Sequence, residues 1–244
     1  MMLPDISPNS ADLAILSAAI AAAFVIFEYG FKSPSLIEFR FAAPYNRFRI
    51  AILAALLLTI GFAFRADLVP SDSTTVIGGV AVATFDFWTF AGSPLHFFME
   101  LTTASTVESQ HILGKASALA LSVTVLGVFG FGASMWLFNW PLGREKFNLW
   151  TNMPTFDVSK EDETEASLRQ CALMSTIIGL TLPYLAPQAA LTFIGPLQPI
   201  SASNSQFLVW MIAIWCFVPA VSLLRAVALY KVASLIAQDR VQSQ

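Results

Sequence analysis

Residues 207–224 read FLVWMIAIWCFVPAVSLL, a continuous stretch without a charged side chain. A helix needs roughly 20 predominantly apolar residues to cross the hydrocarbon core of a bilayer, so this stretch predicts a membrane-spanning helix. Apolar runs of similar length lie at 13–31, 50–69, 116–140 and 171–194. The sequence therefore predicts an all-α polytopic membrane helix bundle, a single integral membrane domain with about five transmembrane helices.

The composition of the whole chain supports this class. Of the 244 residues, 56% are hydrophobic and only 12% are charged, and Phe occurs 21 times against four Tyr. Soluble domains carry about 25% charged residues, about twice this fraction. The net charge of −3 offers no basic surface for nucleic acid. No Lys or Arg precedes the first apolar run, which argues against a cleaved signal peptide and predicts that 13–31 is retained as a span.

The distribution of basic residues predicts the orientation. With five spans, the segments 32–49, 141–170 and 225–244 lie on one side and hold eleven of the 13 Lys and Arg residues, whereas the other side holds only Arg65 and Lys115. Basic residues favour the cytoplasmic side of a membrane. We therefore expect the N-terminus outside, the C-terminus in the cytoplasm, and cytoplasmic loops at 32–49 and 141–170 with a cytoplasmic tail at 225–244.

Residues 76–101 are apolar but contain Gly78, Gly79 and Pro94, which disfavour one continuous helix. A sixth span here would move four basic residues of the 141–170 loop outside, against the charge bias. We therefore predict a re-entrant or interfacial outer segment that dips into the membrane surface. Asp86, an acid inside the apolar stretch Phe85-Asp86-Phe87-Trp88, is predicted to cap a helix or to lie at the interface, with a functional role as the alternative.

The two histidines raise the possibility of a metal or haem site. His96 and Glu100 are four positions apart, and Glu108 and His111 are three apart, so each pair would share one face of a helix. Two such pairs offer ligands for a metal ion, and two histidines suffice for a haem. The alternative, which we favour, is that they are ordinary polar residues of an outer loop. We therefore expect no metal and no cofactor.

The first cytoplasmic loop alternates basic and aromatic side chains. Such a pattern suits an interfacial segment that faces anionic lipid headgroups, and a docking site for another subunit is the alternative. The basic residues are Lys32, Arg40, Arg47 and Arg49.

Small residues mark faces where helices can approach closely. Ala14, Ala18 and Ala22 recur every four positions on the first span and predict contact with a partner helix, with packing inside the protein's own bundle as the alternative. A second group of small residues lies on the third span and is predicted to pack inside the bundle. It includes Gly127, Gly130 and Gly132.

The spans lack ionisable residues at their centres, and the loops lack recognisable catalytic motifs, which argues against a proton pump or an ion-coupled transporter. The leading hypothesis is a non-catalytic accessory, assembly or scaffolding subunit of a larger membrane complex, with lipids and other membrane subunits as partners. Ala-rich spans and short loops favour a bacterial inner membrane. The second hypothesis is a small carrier or channel for an apolar or lipid-like substrate, in which Pro183, Pro187 and Pro219 would bend helices around a cavity. The third is a metal or haem membrane enzyme that uses His96 and His111.

Overall fold

The structure is a computed structural model and describes residues 8–30, 38–39, 44–68, 72–101, 107–138, 140, 152, 161–194 and 205–242. Within these ranges the chain forms seven α-helices and no β-strand. The helices are α1 (Pro8–Gly30), α2 (Tyr45–Leu68), α3 (Asp72–Trp88), α4 (Pro94–Glu100), α5 (Val107–Leu137), α6 (Glu161–Ile194) and α7 (Ser205–Gln242).

Four helices of the described chain are long and apolar enough to cross a membrane, which confirms the predicted all-α membrane helix bundle. Their apolar stretches are Tyr45–Ala66 in α2, Val107–Leu137 in α5, Thr164–Phe193 in α6 and Gln206–Gln238 in α7. The protein is therefore an integral membrane protein. The remaining predicted span coincides with α1, where the described apolar stretch, Ala18–Gly30, is shorter. The count of five spans stays a prediction.

The helices extend beyond the apolar runs that predicted them. α5 begins at Val107, well before residue 116, and α7 continues as one helix of 38 residues past residue 224. Hydropathy measures the apolar length, whereas a helix continues through polar residues as long as its backbone hydrogen bonds persist. α6 likewise continues through Pro183 and Pro187 to Ile194 and does not end at either proline.

The ambiguous segment 76–101 is divided between two helices. α3 ends at Trp88, and α4 begins at Pro94 after a turn in which Gly92 has a φ of +87°, a conformation that glycine adopts without strain. Ser93 caps α4, because its Oγ accepts a hydrogen bond from the His96 N–H and donates one to the Trp88 carbonyl. The position of this segment relative to the membrane stays a prediction.

The chain separates into two compact units. Unit 1 includes residues 51–128 and 177–223, and unit 2 includes residues 7–50, 129–176 and 224–244. The helices α2, α5, α6 and α7 each contribute residues to both units.

In unit 1, the prolines of α6 create a polar contact with α7. Pro187 has no N–H, so the Pro183 carbonyl, four residues earlier, loses its normal helical donor. The buried Trp215 donates its indole N–H to this carbonyl at 3.0 Å. The Trp215 ring also stacks on Phe98 of α4, with 4.4 Å between the centroids. One tryptophan thus joins α4, α6 and α7.

Glycines allow close helix packing at two further points of unit 1. A Cβ at Gly127 of α5 would lie 2.6 Å from Ile52 Cγ1 of α2, and one at Gly179 of α6 would lie 2.6 Å from Leu223 Cγ of α7. The predicted packing role of Gly127 is therefore seen. By contrast, a Cβ at Gly132 would meet nothing within 4 Å, and one at Gly130 would make ordinary contact with Phe48.

Candidate functional site

In the described part of unit 2, Glu38 and Arg225 form an ion pair that has several side-chain hydrogen bonds. Arg225 Nε donates to Glu38 Oε2 and Arg225 Nη2 donates to Glu38 Oε1, both at 2.8 Å. Arg225 Nη1 donates to Ser175 Oγ at 3.2 Å. The side chains are 16% exposed for Glu38 and 36% exposed for Arg225. The forked geometry is the arrangement in which a guanidinium and a carboxylate bind each other most specifically.

The backbone of the same turn is also hydrogen-bonded. The Phe39 N–H donates to the Asn152 carbonyl, and Asn46 Nδ2 donates to the Phe39 carbonyl at 3.1 Å. Phe39 has a φ of +58°, a left-handed conformation that costs a bulky side chain about 1–2 kcal/mol. Such a conformation persists only where the surrounding contacts over-determine it.

Aromatic packing supplies those contacts. The Phe39 ring is fully buried and lies 4.7 Å from Tyr45 and 5.4 Å from Trp140, measured between ring centroids. Tyr45 in turn packs edge-on against Phe131 of α5 at 5.9 Å. A turn between α1 and α2 is thereby inserted among side chains of α2, α5, and the residues that follow α5.

We refer to this arrangement as the Glu38 site. It consists of Glu38, Phe39, Tyr45, Asn46, Trp140, Asn152, Ser175 and Arg225. The carboxylate and the guanidinium neutralise each other, and the serine hydroxyl has no general base beside it in the bonds that the site makes. The contacts of this arrangement make it a clamp, which joins the turn at 38–39 to α2, α6, α7 and the residues that follow α5.

The predicted metal ligands do not converge. His96 Nε2 lies 3.8 Å from Glu100 Oε1, while Glu100 Oε2 accepts a hydrogen bond from Gln188 Nε2 at 2.7 Å. His111 packs against the Phe85 ring, with 5.4 Å between centroids, and Glu108 is exposed. Among the described residues, no group of three or more His, Cys, Asp or Glu side chains is placed to hold a metal ion. The expected absence of a metal stays a prediction.

The residues predicted to contact lipid headgroups or a partner differ in their exposure and contacts. Arg47 is exposed, and Arg49 lies with its guanidinium carbon 5.5 Å from the Tyr45 ring centroid. Ala18 and Ala22 are exposed on α1. The positions of Lys32 and Arg40, and the Ala14 side chain, lie outside what the structure describes. Asp86 is an exposed residue of α3 near its C-terminal end, where its carbonyl accepts the Thr89 hydroxyl.

The sequence analysis did not identify Glu38 and placed Arg225 only in the cytoplasmic tail 225–244. The sequence did contain one indication of the ion pair. Glu38 is the only acid between Glu28 and Asp67, inside an apolar Leu-Ile-Glu-Phe run, and Arg225 is the first charge after the uncharged stretch 207–224. Buried charges are rarely left unpaired, so the position of Glu38 inside an apolar run indicated a partner of opposite sign.

One buried hydroxyl in unit 1 contrasts with the bonded ones around it. Within the described part of the chain, Ser117 Oγ is buried without a hydrogen-bond partner. On the same helix, Ser122 Oγ donates to the Ala118 carbonyl and accepts the Trp88 indole N–H at 2.9 Å. Burial of an unbonded hydroxyl opposes folding, whereas a bonded one is close to neutral or favourable.

We expect Ser117→Ala to leave the free energy of unfolding unchanged or to raise it by up to about 1 kcal/mol, because the change removes an unbonded polar group. Ser122→Ala on the same helix is the control, and it should cost about 1 kcal/mol because it leaves the Trp88 N–H unpaired. Unfolding by SDS in mixed micelles measures both. A loss for Ser117→Ala as large as that for Ser122→Ala would mean that the Ser117 hydroxyl is hydrogen-bonded in the folded protein.

Comparison of the sequence with known protein families and with curated proteins, and of the structure with solved structures, finds no match. Function is therefore inferred from this chain's own residues, chiefly the Glu38 site and the exposed helix α1.

Proposed function

We propose that this protein is a non-catalytic accessory, assembly or scaffolding subunit of a larger complex in a bacterial inner membrane. The observation that supports the proposal is the exposure of α1. All side chains from Ala18 to Phe27 are exposed, including bulky ones such as Phe24 and Ile26, at 72% each. By comparison, half of the apolar stretch of α5 and of α7 is buried within the chain, as is 33% of that of α2 and 11% of that of α6.

This exposure bears on the role of the alanines. The alternative for Ala18 and Ala22 is packing against the protein's own bundle, and the exposure of both side chains favours contact with a partner. A lipid tail fills any groove, so small side chains give no advantage against lipid. They do give an advantage against another helix, because closer backbones increase dispersion contacts. The partner that fits this face is therefore a transmembrane helix of another subunit.

We expect Ala18→Leu to weaken association with the partner subunit by about tenfold, which corresponds to about 1.4 kcal/mol. Membrane insertion should not suffer, because Leu is at least as favourable as Ala in hydrocarbon. Ala23→Leu is the matched control: Ala23 is exposed on the same helix but lies about 140° away around its axis. The measurement is quantitative mass spectrometry of proteins co-purified in mild detergent with each variant.

Equal partner recovery with Ala18→Leu and Ala23→Leu would contradict the proposal for this face. A photo-reactive amino acid placed at position 18 or at position 23 identifies independently what each position contacts in intact membranes. Crosslinking to one defined protein from position 18, and to lipid from position 23, is the expected result.

We also propose that the N-terminus lies outside and the C-terminus in the cytoplasm, with the basic residues Lys32, Arg40, Arg47 and Arg49 near anionic headgroups. The distribution of Lys and Arg supports this orientation. A cysteine introduced at Ser159 should react with an impermeant reagent only from the cytoplasm, and one at Ser73 only from outside. Cys171 and Cys216 are first replaced, and labelling of both sites from one side would contradict the five-span arrangement.

A further inference from the structure

One face of α4, in unit 1, carries an acid together with two rings. Glu100 follows His96 by four positions and Phe97 by three, so the three side chains share this face of the helix. None of them is buried, whereas Leu95 and Phe98 on the opposite face are 2% and 1% exposed. The buried face fixes α4 in unit 1 and leaves the other face accessible to a ligand.

Two contacts join the accessible face to α6. The Phe97 ring meets the Tyr184 ring edge-on, with 5.5 Å between centroids and 78° between the ring planes. Glu100 Oε2 accepts a hydrogen bond from Gln188 Nε2 at 2.7 Å. This pairing places one carboxylate within a helical turn of two nearly perpendicular aromatic rings. We refer to the arrangement as the carboxylate corner, which consists of His96, Phe97, Glu100, Tyr184 and Gln188.

Trp215 of α7 holds both sides of the carboxylate corner. Its ring stacks on Phe98, which is next to Phe97 in the chain, and its indole N–H donates to the carbonyl of Pro183, which is next to Tyr184. A site whose walls are already positioned loses less conformational freedom when a ligand binds.

The Glu100 carboxylate has remaining capacity to bind a cation. A carboxylate has about four lone-pair positions, and the neutral amide of Gln188 occupies one of them. Within the described residues no Lys or Arg forms an ion pair with Glu100, and the distance from its Oε1 to His96 Nε2, 3.8 Å, exceeds a hydrogen bond. The Glu100 side chain is 42% exposed, so a ligand can reach it.

This combination of groups favours an ammonium ligand. Aromatic rings attract organic cations, and a carboxylate supplies the opposite charge and accepts N–H hydrogen bonds, which a primary ammonium group can donate. An anionic ligand would be repelled by the carboxylate. A metal ion would need more ligands, and no group of three or more His, Cys, Asp or Glu side chains is placed to hold one in the described part of the chain.

The surroundings favour a lipid as the source of that group. Leu180 lies one turn before Tyr184 on α6 and is 58% exposed, and Leu185, the next residue after Tyr184, is 60% exposed. α6 is long and apolar enough to cross a membrane, so acyl chains can lie against its exposed leucines while a headgroup reaches the carboxylate corner.

We propose that the carboxylate corner binds a primary ammonium group, such as the ethanolamine headgroup of a lipid or a small soluble amine supplies. Glu100 is the counter-charge, and the Phe97 and Tyr184 rings are the walls. This site is separate from α1 and does not depend on the subunit role proposed above.

The first test uses the wild-type protein. It is reconstituted in nanodiscs with equal amounts of phosphatidylethanolamine and its N-acetyl derivative, which keeps the phosphate and acyl chains but lacks the ammonium charge. Native mass spectrometry then counts the lipids that each protein retains. We expect phosphatidylethanolamine to be retained about tenfold more, the usual effect of a charged hydrogen bond. Equal retention of the two lipids would overturn the proposal.

Variants test whether the preference arises at the carboxylate corner. Glu100→Gln keeps an oxygen that can accept from Gln188 but removes the charge, so the preference should fall about tenfold. Tyr184→Leu removes one ring and should lower the preference about fivefold, whereas Tyr184→Phe keeps the ring and should not change it. Glu108→Gln is the matched control, because Glu108 is an exposed acid of the same unit outside the corner.

A preference that survives in Glu100→Gln and in Tyr184→Leu would overturn the proposal. An equal loss in Glu108→Gln and Glu100→Gln would also overturn it, because the preference would then come from the general charge of the surface. If one corner variant does not accumulate, Phe97→Leu takes its place under the same criterion.

Competition separates the two sources of the ammonium group. Displacement of bound phosphatidylethanolamine by added ethanolamine supports a soluble amine as a ligand of the corner, and retention of the lipid supports the headgroup. Neither measurement involves recovery of a partner subunit, so failure of this proposal is distinguishable from failure of the function proposed above.

Discussion

We expect replacement of Phe39 by alanine to lower the free energy of unfolding by about 3 kcal/mol or more, the usual cost of removing a fully buried aromatic ring. Replacement by glycine should cost about 1 kcal/mol less than replacement by alanine, although glycine removes the same ring. The reason is the φ of +58° at this position, which strains any residue that has a Cβ. The relief of that strain outweighs the larger conformational freedom of glycine in the unfolded chain.

Phe131 is the matched control for this comparison. It is also fully buried, in the same aromatic cluster, but it lies within α5. In a helix interior glycine is less favourable than alanine by about 1 kcal/mol, so Phe131→Gly should cost more than Phe131→Ala. The sign of the difference between alanine and glycine thus separates the two positions. A larger loss for Phe39→Gly than for Phe39→Ala would mean that the positive φ does not exist in the folded protein.

The second large effect is expected at the ion pair. Arg225→Ala should lower the free energy of unfolding by about 3 kcal/mol, because it leaves the largely buried Glu38 carboxylate without a counter-charge. The double variant Glu38→Ala, Arg225→Ala should lose less than the sum of the two single variants. The coupling energy from this cycle is expected at about 1.5–2 kcal/mol, the lower part of the range for charged hydrogen bonds, since Arg225 is partly exposed.

The pair of Glu165 and Arg169 provides the reference cycle. These residues are one helical turn apart on α6, with an N–O distance of 2.9 Å, and the Arg169 side chain is 45% exposed. Exposed pairs at this spacing contribute about 0.3–0.5 kcal/mol. A coupling for Glu38 and Arg225 as small as that of the reference pair would show that water screens both pairs equally and that the Glu38 site is not a strong clamp.

Several features of the fold could be predicted from the sequence because they depend on residues that are close together in the chain. The apolar stretches of α2, α5, α6 and α7 were each found from length and hydropathy. A break inside 76–101 was expected, and the structure places a turn just before Pro94, whereas Gly78 and Gly79 lie within the continuous helix α3. The close approach at Gly127 was likewise anticipated, although its contact, Ile52, was not.

The candidate site was not found from the sequence, for a physical reason. Arg225 lay at the end of an apolar stretch, where a long side chain commonly reaches the headgroups, so the residue itself did not indicate a protein partner. Phe39 was one aromatic residue among several in a basic loop, and nothing local predicts a left-handed φ for phenylalanine. The spacing of two histidines and two glutamates suggested a metal site, yet the structure does not bring these side chains together as one cluster. They are His96, Glu100, Glu108 and His111.

The sequence by itself determined that this chain forms helices in a membrane, because in hydrocarbon every backbone group must be satisfied within its own segment. That requirement is local, and contiguous residues reveal it. Only the tertiary structure decided that Glu38 meets Arg225, 187 positions away, and that Phe39 is enclosed by Tyr45 and Trp140. A contact over that separation depends on how several helices pack together, and no property of either residue alone specifies the partner.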